Sequence, residues 1–507
     1  MTTTLELSGS PLTVEQVRTV ARDGARVELG REARGAITAS REALEGAMRG
    51  GAAIYGVNTG FGSLSRQRIP AESIREMQRN LIRSHASGVG AALPVDVVRG
   101  MMVILAASLA RGRSGVRVET VEGLVAALNA GVTPVVPEVG SVGASGDLAP
   151  LAHVTLGLMG EGDVWWKGQR VAAAEALKQG GLKPLELESK EGLALINGTH
   201  LMASQGALLI AEWEGVWGAA LAACAMSMDA ARATDAFLDA RVYQVRAQPG
   251  PGMVAERLRA MLAGSEILPA HAKDDPRVQD PYSFRCAPMV LGAAWDAMGH
   301  VRACVERELG AVTDNPLIFS GAGEKPVVVS AGCFHGMPIA IPLDTSAIAF
   351  SHVAGISERR VYHMLSATDP QSLLPAQLSP SPGLHSGLMI VQYAAAACVN
   401  EMATLAGPAS VVNVPTCAGM EDYNSMGPRS AAKARRSLDL CRSVVAIELL
   451  TAAEGLERQR PLQSGAGVER AHGVVREVVS ALTADRPPAP DIAAIEGLIR
   501  EGRFGVA

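Results

Sequence analysis

The second half of the chain contains five long runs of alanine, leucine and other apolar residues at helical spacing. They cover about His200 to Asp235, Pro288 to Asp314, Ala340 to Leu365, Ser386 to Ala406 and Arg429 to Leu456. Each run is longer than an ordinary globular helix, which averages about 11–12 residues. Helices this long and this apolar bury their surfaces by packing side by side, often between subunits. The sequence therefore predicts a mainly α fold built on a bundle of long helices.

The first 200 residues differ, with shorter helical segments separated by glycine-rich loops. Strong helical patterns cover Val95 to Arg111 and the segment that begins at Val118. The segment "DVWWKGQRVAA" predicts a β-hairpin with a Lys-Gly turn, and "LIFSGAGEKPVVVS" predicts a second hairpin between the long helices. We therefore expect a smaller α+β domain over residues 1–200, followed by the helix bundle and a C-terminal helical region over residues 201–507.

The charge of the chain argues against two classes of partner. Lys and Arg number 46 against 51 Asp and Glu, which gives a net charge of −5 at pH 7. No broad basic field is available for nucleic acid or for an anionic membrane, and aromatic residues make up only 4%. The most apolar window, residues 211–231, contains Glu212, Glu214 and Asp229, which predicts a buried helix rather than a membrane span. We expect neither nucleic acid nor a membrane as a partner.

The cysteines and histidines favour a reducing compartment and no metal. Seven scattered cysteines form no Cys-x-x-Cys pair, which indicates free thiols in the cytoplasm. The ten histidines show none of the usual metal-ligand spacings, so no metal site is predicted. The N-terminus has no basic segment followed by an apolar run, so no signal peptide is expected.

Residues 143–147, Gly-Ala-Ser-Gly-Asp, combine three kinds of small residue with an acid. One interpretation is a turn before a helix, with Asp147 as the acidic residue at the helix N-terminus. The other is chemical. If the amide nitrogen of Gly146 attacks the carbonyl carbon of Ala144, loss of one water closes a five-membered ring, and loss of the Ser145 hydroxyl as a second water leaves an exocyclic methylene. Gly146 permits this approach because it has no Cβ. Ala-Ser-Gly is common by chance, so the surrounding residues decide.

Those surroundings resemble one family. "GSVGASGDLAPLA" (140–152) is similar to the signature of the aromatic amino acid ammonia-lyases, which carry the methylidene-imidazolone (MIO) electrophile. Further segments resemble family blocks in the family's order: "YGVNTGFG" (55–62), "RSHASGVG" (83–90), "GLALINGT" (192–199), "VQDPYSFRCAP" (278–288), "DNPL" (314–317), "FHGMPIA" (334–340) and "MEDYNSMG" (420–427). The resemblance implies a long-helix bundle of the histidase and fumarase type and a homotetramer with shared active sites. It also implies an MIO formed from Ala144, Ser145 and Gly146, with no metal or diffusible cofactor.

The resemblance implies roles for two side chains that would act on the reacting atoms. Tyr55 would be the general base that removes the substrate β-proton, rather than only a packing aromatic in a loop. A free phenol has a pKa of about 10, so this role requires surroundings that favour the anion. Asn197 would polarise the MIO carbonyl as an oxyanion-hole donor does, whereas its structural interpretation is a helix cap.

Four more residues resemble contacts of the substrate or the MIO. Tyr282 would contact the MIO and assist proton movement. Arg285 follows it by three residues, so both would face the same site if the segment forms one helical turn. There it would hold the substrate carboxylate with a planar, two-pronged donor instead of serving as a surface charge. Gln279 and Phe334 resemble further residues that line the site.

Two residues bear on which amino acid is the substrate. His85, followed by Ala86, resembles the members of the family that act on histidine. Glu421 does so as well, because a carboxylate can accept the N–H of an imidazole but would lie unpaired against a phenyl ring. The resemblance therefore implies elimination of ammonia from L-histidine to give trans-urocanate. Met420, Tyr423-Asn424 and "PGLHSG" (382–387) depart from the histidine pattern. The alternatives are a tyrosine or phenylalanine ammonia-lyase, a 2,3-aminomutase, or, more distantly, a non-enzymatic helical scaffold.

Overall fold

Helices make up most of the protein, as the sequence predicts. The structure, a computed structural model, describes residues 4–50, 53–273, 275–319 and 326–505. In chain order the helices are α1 (Val14–Arg22), α2 (Arg31–Arg49), α3 (Ile74–His85), α4 (Val95–Ala110), α5 (Val118–Asn129), α6 (Leu148–Leu158), α7 (Ala173–Gln179), α8 (Glu191–Ile196), α9 (His200–Ala230), α10 (Ala240–Arg246), α11 (Pro249–Leu262), α12 (Ile267–Ala270), α13 (Tyr282–Arg285), α14 (Ala287–Leu309), α15 (Met337–Ser366), α16 (Met389–Leu405), α17 (Gly427–Glu457), α18 (Ala466–Arg476) and α19 (Ala489–Arg500). The prediction of a mainly α fold is confirmed.

The five predicted long runs correspond to α9, α14, α15, α16 and α17. The differences at their ends have a backbone cause. Helix α9 ends at Ala230 instead of Asp235, and Arg232 just beyond it has a left-handed φ of 52°. Helix α16 begins at Met389 instead of Ser386, and Gly387 before it has a φ of 60°. Such residues cannot continue a right-handed helix, so each helix is bounded there.

The strands are short and form four small sheets. They are β1 (Thr4–Leu7), β2 (Arg26–Leu29), β3 (Val89–Ala92), β4 (Thr133–Pro134), β5 (Pro137–Val139), β6 (Asp163–Trp166), β7 (Gln169–Ala172), β8 (Leu317–Phe319) and β9 (Val327–Val329). Strands β6 and β7 form the predicted hairpin around Lys167-Gly168, and β8 pairs antiparallel with β9 as predicted. The residues that join β8 to β9, 320–325, lie outside the described residues. The parallel pair β1–β2 was not predicted, because α1 separates the two strands and no turn sequence joins them as in a hairpin.

The chain divides by packing into two compact units. The first contains Met1–Leu208, Arg302–Leu343 and Pro408–Ala432, and the second contains the remaining segments. The predicted domains, 1–200 and 201–507, are continuous in sequence, whereas here two later segments pack with the N-terminal part. Both segments contribute side chains to the cavity described below.

In the first unit, helices α3, α6 and α8 pack against one another. Their ends carry residues of the predicted site. His85 is the last residue of α3, Asp147 directly precedes α6, and Asn197 directly follows α8. The packing of these three helices therefore fixes the relative positions of those side chains.

In the second unit, a buried carboxylate joins three long helices. Glu448 of α17 is fully buried and accepts hydrogen bonds from Arg360 of α15 (Nη2 to Oε2, 2.8 Å) and from Ser227 of α9 (2.8 Å). Ser357 of α15 also donates to it, at 2.5 Å. A buried charge is tolerated only when its hydrogen bonds are satisfied, so this network fixes how the three helices are aligned.

Two helices, α9 and α15, are long and apolar enough by composition alone to cross a membrane. In their most apolar windows, 78% and 61% of the residues are buried inside the protein. This burial is typical of the core helices of soluble proteins, as the sequence predicts for residues 211–231.

Candidate active site

A cavity of about 1310 Å³ lies in the first unit. Seven of the eleven predicted site residues line it: Tyr55, His85, Ala144, Ser145, Asn197, Phe334 and Glu421. The eighth, Gly146, follows Ser145 in the chain. The other three, Gln279, Tyr282 and Arg285, belong to the second unit and are not among the lining residues. The cavity therefore brings together the residues proposed for the electrophile, the base and the substrate ring, whereas Tyr282 and the proposed carboxylate clamp are not part of its lining.

The loop that contains Ala144-Ser145-Gly146 joins β5 to α6 and is held on several sides. Ser141 Oγ donates to the carbonyl of Gly146 at 2.9 Å and accepts from the N–H of Gly143 at 3.1 Å. Ser425 Oγ donates to the carbonyl of Gly143 at 3.0 Å. The N–H of Asp147 donates to the carbonyl of Gly198 at 2.6 Å. These bonds fix the backbone on both sides of Ser145.

Gly146 occupies a position that only glycine fits. Its φ is 73°, in the left-handed region, and it forms a β-bridge with Gly198. A Cβ at Gly146 would collide with the carbonyl of Gly198. The absence of a side chain thus allows the close backbone approach that ring closure through the Gly146 nitrogen would require.

The carbonyl oxygen of Ser145 faces two donors. The N–H of Gly198 donates to it at 3.2 Å. In the amide orientation that satisfies both of its polar atoms, Asn197 donates to the same oxygen at 3.2 Å, and its own oxygen accepts from the N–H of Asn315 at 2.9 Å. Asn197 is 2% exposed. Two buried donors on one carbonyl form an arrangement that stabilises negative charge on its oxygen.

The hydroxyl of Ser145 faces a carboxylate. Ser145 Oγ donates to Glu421 Oε1 at 2.9 Å, and Thr416 Oγ1 donates to Glu421 Oε2 at 2.8 Å. The backbones of Thr416 and Glu421 also pair, across the short 3₁₀ turn Cys417–Gly419. Glu421 is therefore held in place beside the loop, with its charge directed toward the cavity.

Tyr55 lies in surroundings that favour the protonated phenol. Its hydroxyl accepts a hydrogen bond from the N–H of Gly62 at 3.0 Å. Burial raises the pKa of Tyr55, the nearby Glu421 carboxylate and Cys417 side chain raise it further, and the Gly62 bond opposes them. A general base requires surroundings that favour the anion, whereas Tyr55 is buried and has the carboxylate of Glu421 nearby.

His85 is held with a defined ring orientation. Its Nδ1 lies 2.9 Å from the carbonyl oxygen of Leu81, which can only accept, so Nδ1 carries the hydrogen and Nε2 is left as an acceptor. Burial lowers the pKa of His85, against the opposing effects of the Leu81 carbonyl and Glu421. The neutral ring is thus favoured in this cavity.

Several residues that line or support the site were not predicted from the sequence. Met77, Asn80, Leu81 and Ser84 line the cavity from α3 together with His85, and the four-residue spacing of Met77, Leu81 and His85 could have indicated part of this. Asp147 does not cap its own helix through its side chain. Its Oδ2 accepts instead from the N–H groups of Leu201 (2.8 Å) and Met202 (3.2 Å) at the start of α9, and burial raises its pKa to about 7. Local sequence cannot indicate a partner more than fifty residues away.

Among the described residues, no group of three or more His, Cys, Asp or Glu side chains is arranged to hold a metal. The seven cysteines are free thiols. Cys417 lines the cavity, and its Sγ accepts a hydrogen bond from the N–H of Ser63 at 3.3 Å.

The long helices and the small-residue loop under two buried donors fit the family resemblance, and comparisons with known proteins agree. The sequence profile of the aromatic amino acid lyase family matches residues 12–477. Histidine ammonia-lyase from Sorangium cellulosum is 46% identical over 501 residues, which cover 98% of this chain and 97% of that protein. The chain belongs to the aromatic amino acid lyase family.

Solved structures show the same fold. Histidine ammonia-lyase from Trypanosoma cruzi matches with a TM-score of 0.91 and 38% identity, covering 99% of this chain and 94% of that one. Tyrosine aminomutase from Streptomyces globisporus matches with a TM-score of 0.92 and 35% identity, covering 99% and 97%. The fold is therefore shared by members of the family whose names give different substrates and reactions.

Proposed function

We propose that this protein eliminates ammonia from L-histidine to give trans-urocanate. The observation that carries the proposal is the position of Glu421, whose carboxylate lies 2.9 Å from the Ser145 hydroxyl. An imidazole N–H bound there would be adjacent to the reacting group, whereas the carboxylate would lie unpaired against a phenyl ring. Relatives of about the same length that are named histidine ammonia-lyase support the same substrate.

Residues 144–146 fit the MIO group that the family resemblance implies. Ala144 is buried, Gly146 has the left-handed backbone that allows close approach, and the Ser145 hydroxyl, which would leave as water, points toward the carboxylate of Glu421. The carbonyl of Ser145 would become the ring carbonyl, already faced by Asn197 and Gly198. The group would supply an electrophilic methylene for the substrate amine.

The remaining residues have roles in proton transfer and orientation. Tyr55 removes the β-proton of the substrate, and Gly62 steadies its oxygen through the 3.0 Å hydrogen bond. Asn197 and the N–H of Gly198 stabilise charge on the Ser145 oxygen. Glu421 and His85 orient the imidazole ring, and Phe334 packs at the cavity wall.

The substrate carboxylate requires a cation that one copy of the chain does not place in the cavity. Among the described residues that line it, there is no Lys or Arg. Arg285 and Gln279, which hydrogen-bond to each other, are exposed, and Tyr282 is 69% exposed. We infer that these three residues complete the cavity of another subunit in a homotetramer, where Arg285 binds the carboxylate. The free cysteines favour the cytoplasm as the compartment.

The experiment that tests this function is a substrate panel. The purified protein is incubated separately with L-histidine, L-tyrosine and L-phenylalanine, and the conjugated acrylate product is followed by ultraviolet absorbance. We expect histidine to react. Turnover of tyrosine but not histidine would contradict the argument from Glu421, and a β-amino acid product would indicate an aminomutase. An intact mass equal to that of the unmodified sequence, together with no turnover, would indicate a scaffold.

Glu421→Gln is expected to reduce kcat/KM for histidine by roughly ten- to a hundredfold, because the variant loses a hydrogen bond to a charged group. The loss is measured per matured site, which is a chain that has lost two waters to form the MIO and is counted by intact mass. Any trace activity with tyrosine or phenylalanine should change much less. Glu76→Gln, which alters another carboxylate at the cavity wall, is the matched control and should leave histidine turnover unchanged. An equal loss for every aromatic substrate would argue against contact between Glu421 and the ring.

A further inference from the structure

A fully buried ion pair lies behind Asn197. Lys190 is 0% exposed, Asp314 is 3% exposed, and Lys190 Nζ lies 2.6 Å from Asp314 Oδ2. Lys190 also has a left-handed backbone, with a φ of 73°, directly before α8. Burying two charges costs desolvation, and such pairs often stabilise a fold no better than apolar residues of the same size. Strained backbone positions cluster at functional sites, so a strained residue with a buried charge beside Asn197 indicates a role at the site.

The second oxygen of Asp314 lies near the amide that faces the loop. Asp314 Oδ1 accepts from the N–H of Asn315 at 2.6 Å. In the other orientation of the Asn197 amide, its nitrogen donates to Asp314 Oδ1 at 3.3 Å and to the carbonyl of Asn315 at 3.4 Å. The NH₂ of Asn197 therefore has two competing acceptors: the carbonyl of Ser145 on one side and the carboxylate of Asp314 on the other.

We propose that Lys190 is a positioning residue that keeps the Asn197 amide directed at the Ser145 carbonyl by neutralising Asp314. The inference rests on the proposed function, since it concerns the donor that polarises the Ser145 oxygen. An ionised acceptor forms a stronger hydrogen bond than a neutral carbonyl does. Without the ammonium of Lys190, the carboxylate of Asp314 would compete successfully for the NH₂, and the amide would turn away from Ser145.

If Lys190 acts through Asn197, replacing Lys190 and replacing Asp314 should have different effects on kcat. A purely structural ion pair would give equal losses. Lys190→Met leaves an unpaired carboxylate beside Asn197, so kcat per matured site should fall at least tenfold. Loss of an oxyanion-hole donor lowers kcat by roughly 10²- to 10³-fold, and an Asn197 amide that turns away from Ser145 should lose part of that factor. KM should change little, because the donor acts in the transition state. Asp314→Asn removes the competing charge, and Lys190 can then lose its proton because burial lowers its pKa. That variant should stay within about threefold of wild type.

The decisive variant is the double substitution Lys190→Met with Asp314→Asn, which has no buried charge at all. It should recover to within about threefold of the wild-type kcat, with matured sites counted by intact mass. Wild-type kcat in Lys190→Met, or an equal loss in Lys190→Met and Asp314→Asn, would overturn the proposal. If Lys190→Met does not fold, the other two variants decide, and a tenfold loss in either would overturn it. A wild-type protein that neither turns over histidine nor loses two waters would instead refute the proposed function.

Discussion

Ser145→Ala is expected to lower kcat for histidine on the order of a thousandfold or more, since removal of a covalent catalytic group costs that much or more in other enzymes. Alanine at this position has no hydroxyl to lose, so the exocyclic methylene cannot form. The fold should persist, because the side-chain bond that disappears is the 2.9 Å contact with Glu421. Steady-state kinetics and intact mass are the two measurements.

The mass measurement makes the Ser145→Ala experiment specific. The wild-type protein should weigh two waters less than its sequence, and the variant should not show this full loss. Ser63→Ala, which alters another serine at the cavity wall, should keep both the mass deficit and the activity. Near-normal turnover by Ser145→Ala would mean that residues 144–146 do not supply the electrophile.

Tyr55→Phe is expected to lower kcat by about 10²- to 10⁴-fold, the usual contribution of a general base. The variant keeps the ring and loses only the hydroxyl that accepts from Gly62. Its intact mass should still be two waters below the sequence, because Tyr55 lies outside the loop. Tyr423→Phe, at the same cavity wall, is the matched control and should retain most activity.

The pH dependence gives the Tyr55 experiment a second readout. Burial and the charge of Glu421 raise the pKa of Tyr55. A base must be deprotonated to act, so a raised pKa leaves little phenolate at neutral pH and more as the pH increases. For wild type, kcat/KM should therefore rise with pH on the alkaline side, and this rise should be absent in Tyr55→Phe. A wild-type profile that falls through this range would exclude the phenolate as the base.

Much of the fold could be predicted because apolar periodicity is a local property. The runs corresponding to α9, α14, α15, α16 and α17 were located from composition and spacing alone, and both hairpins were found from their turn and strand residues. The helix ends were less accurate, because one left-handed residue such as Arg232 bounds a helix without an obvious sequence signal. The β1–β2 pair was missed because α1 separates the two short strands, so no turn sequence links them.

The site was predicted in part, through blocks that resemble a family. These blocks identified the residues that line the cavity, including Ser145, Asn197 and Glu421. They gave no information on which distant residues meet. The pairing of Lys190 with Asp314 joins positions 124 residues apart, and the raised pKa of Tyr55 arises from its burial, with a further contribution from Glu421, far along the chain. Such effects depend on tertiary contacts, which local spacing does not record.

The bonds that fix the loop come from parts of the chain that are synthesised at very different times. Ser141 is present early, Gly198 follows, and Ser425 is added when more than four-fifths of the chain has been made. A nascent or truncated polypeptide lacks the last of these restraints. If the loop matures as proposed, a chain that ends before Ser425 lacks one restraint on the loop, and its ring should close more slowly than in the full-length protein.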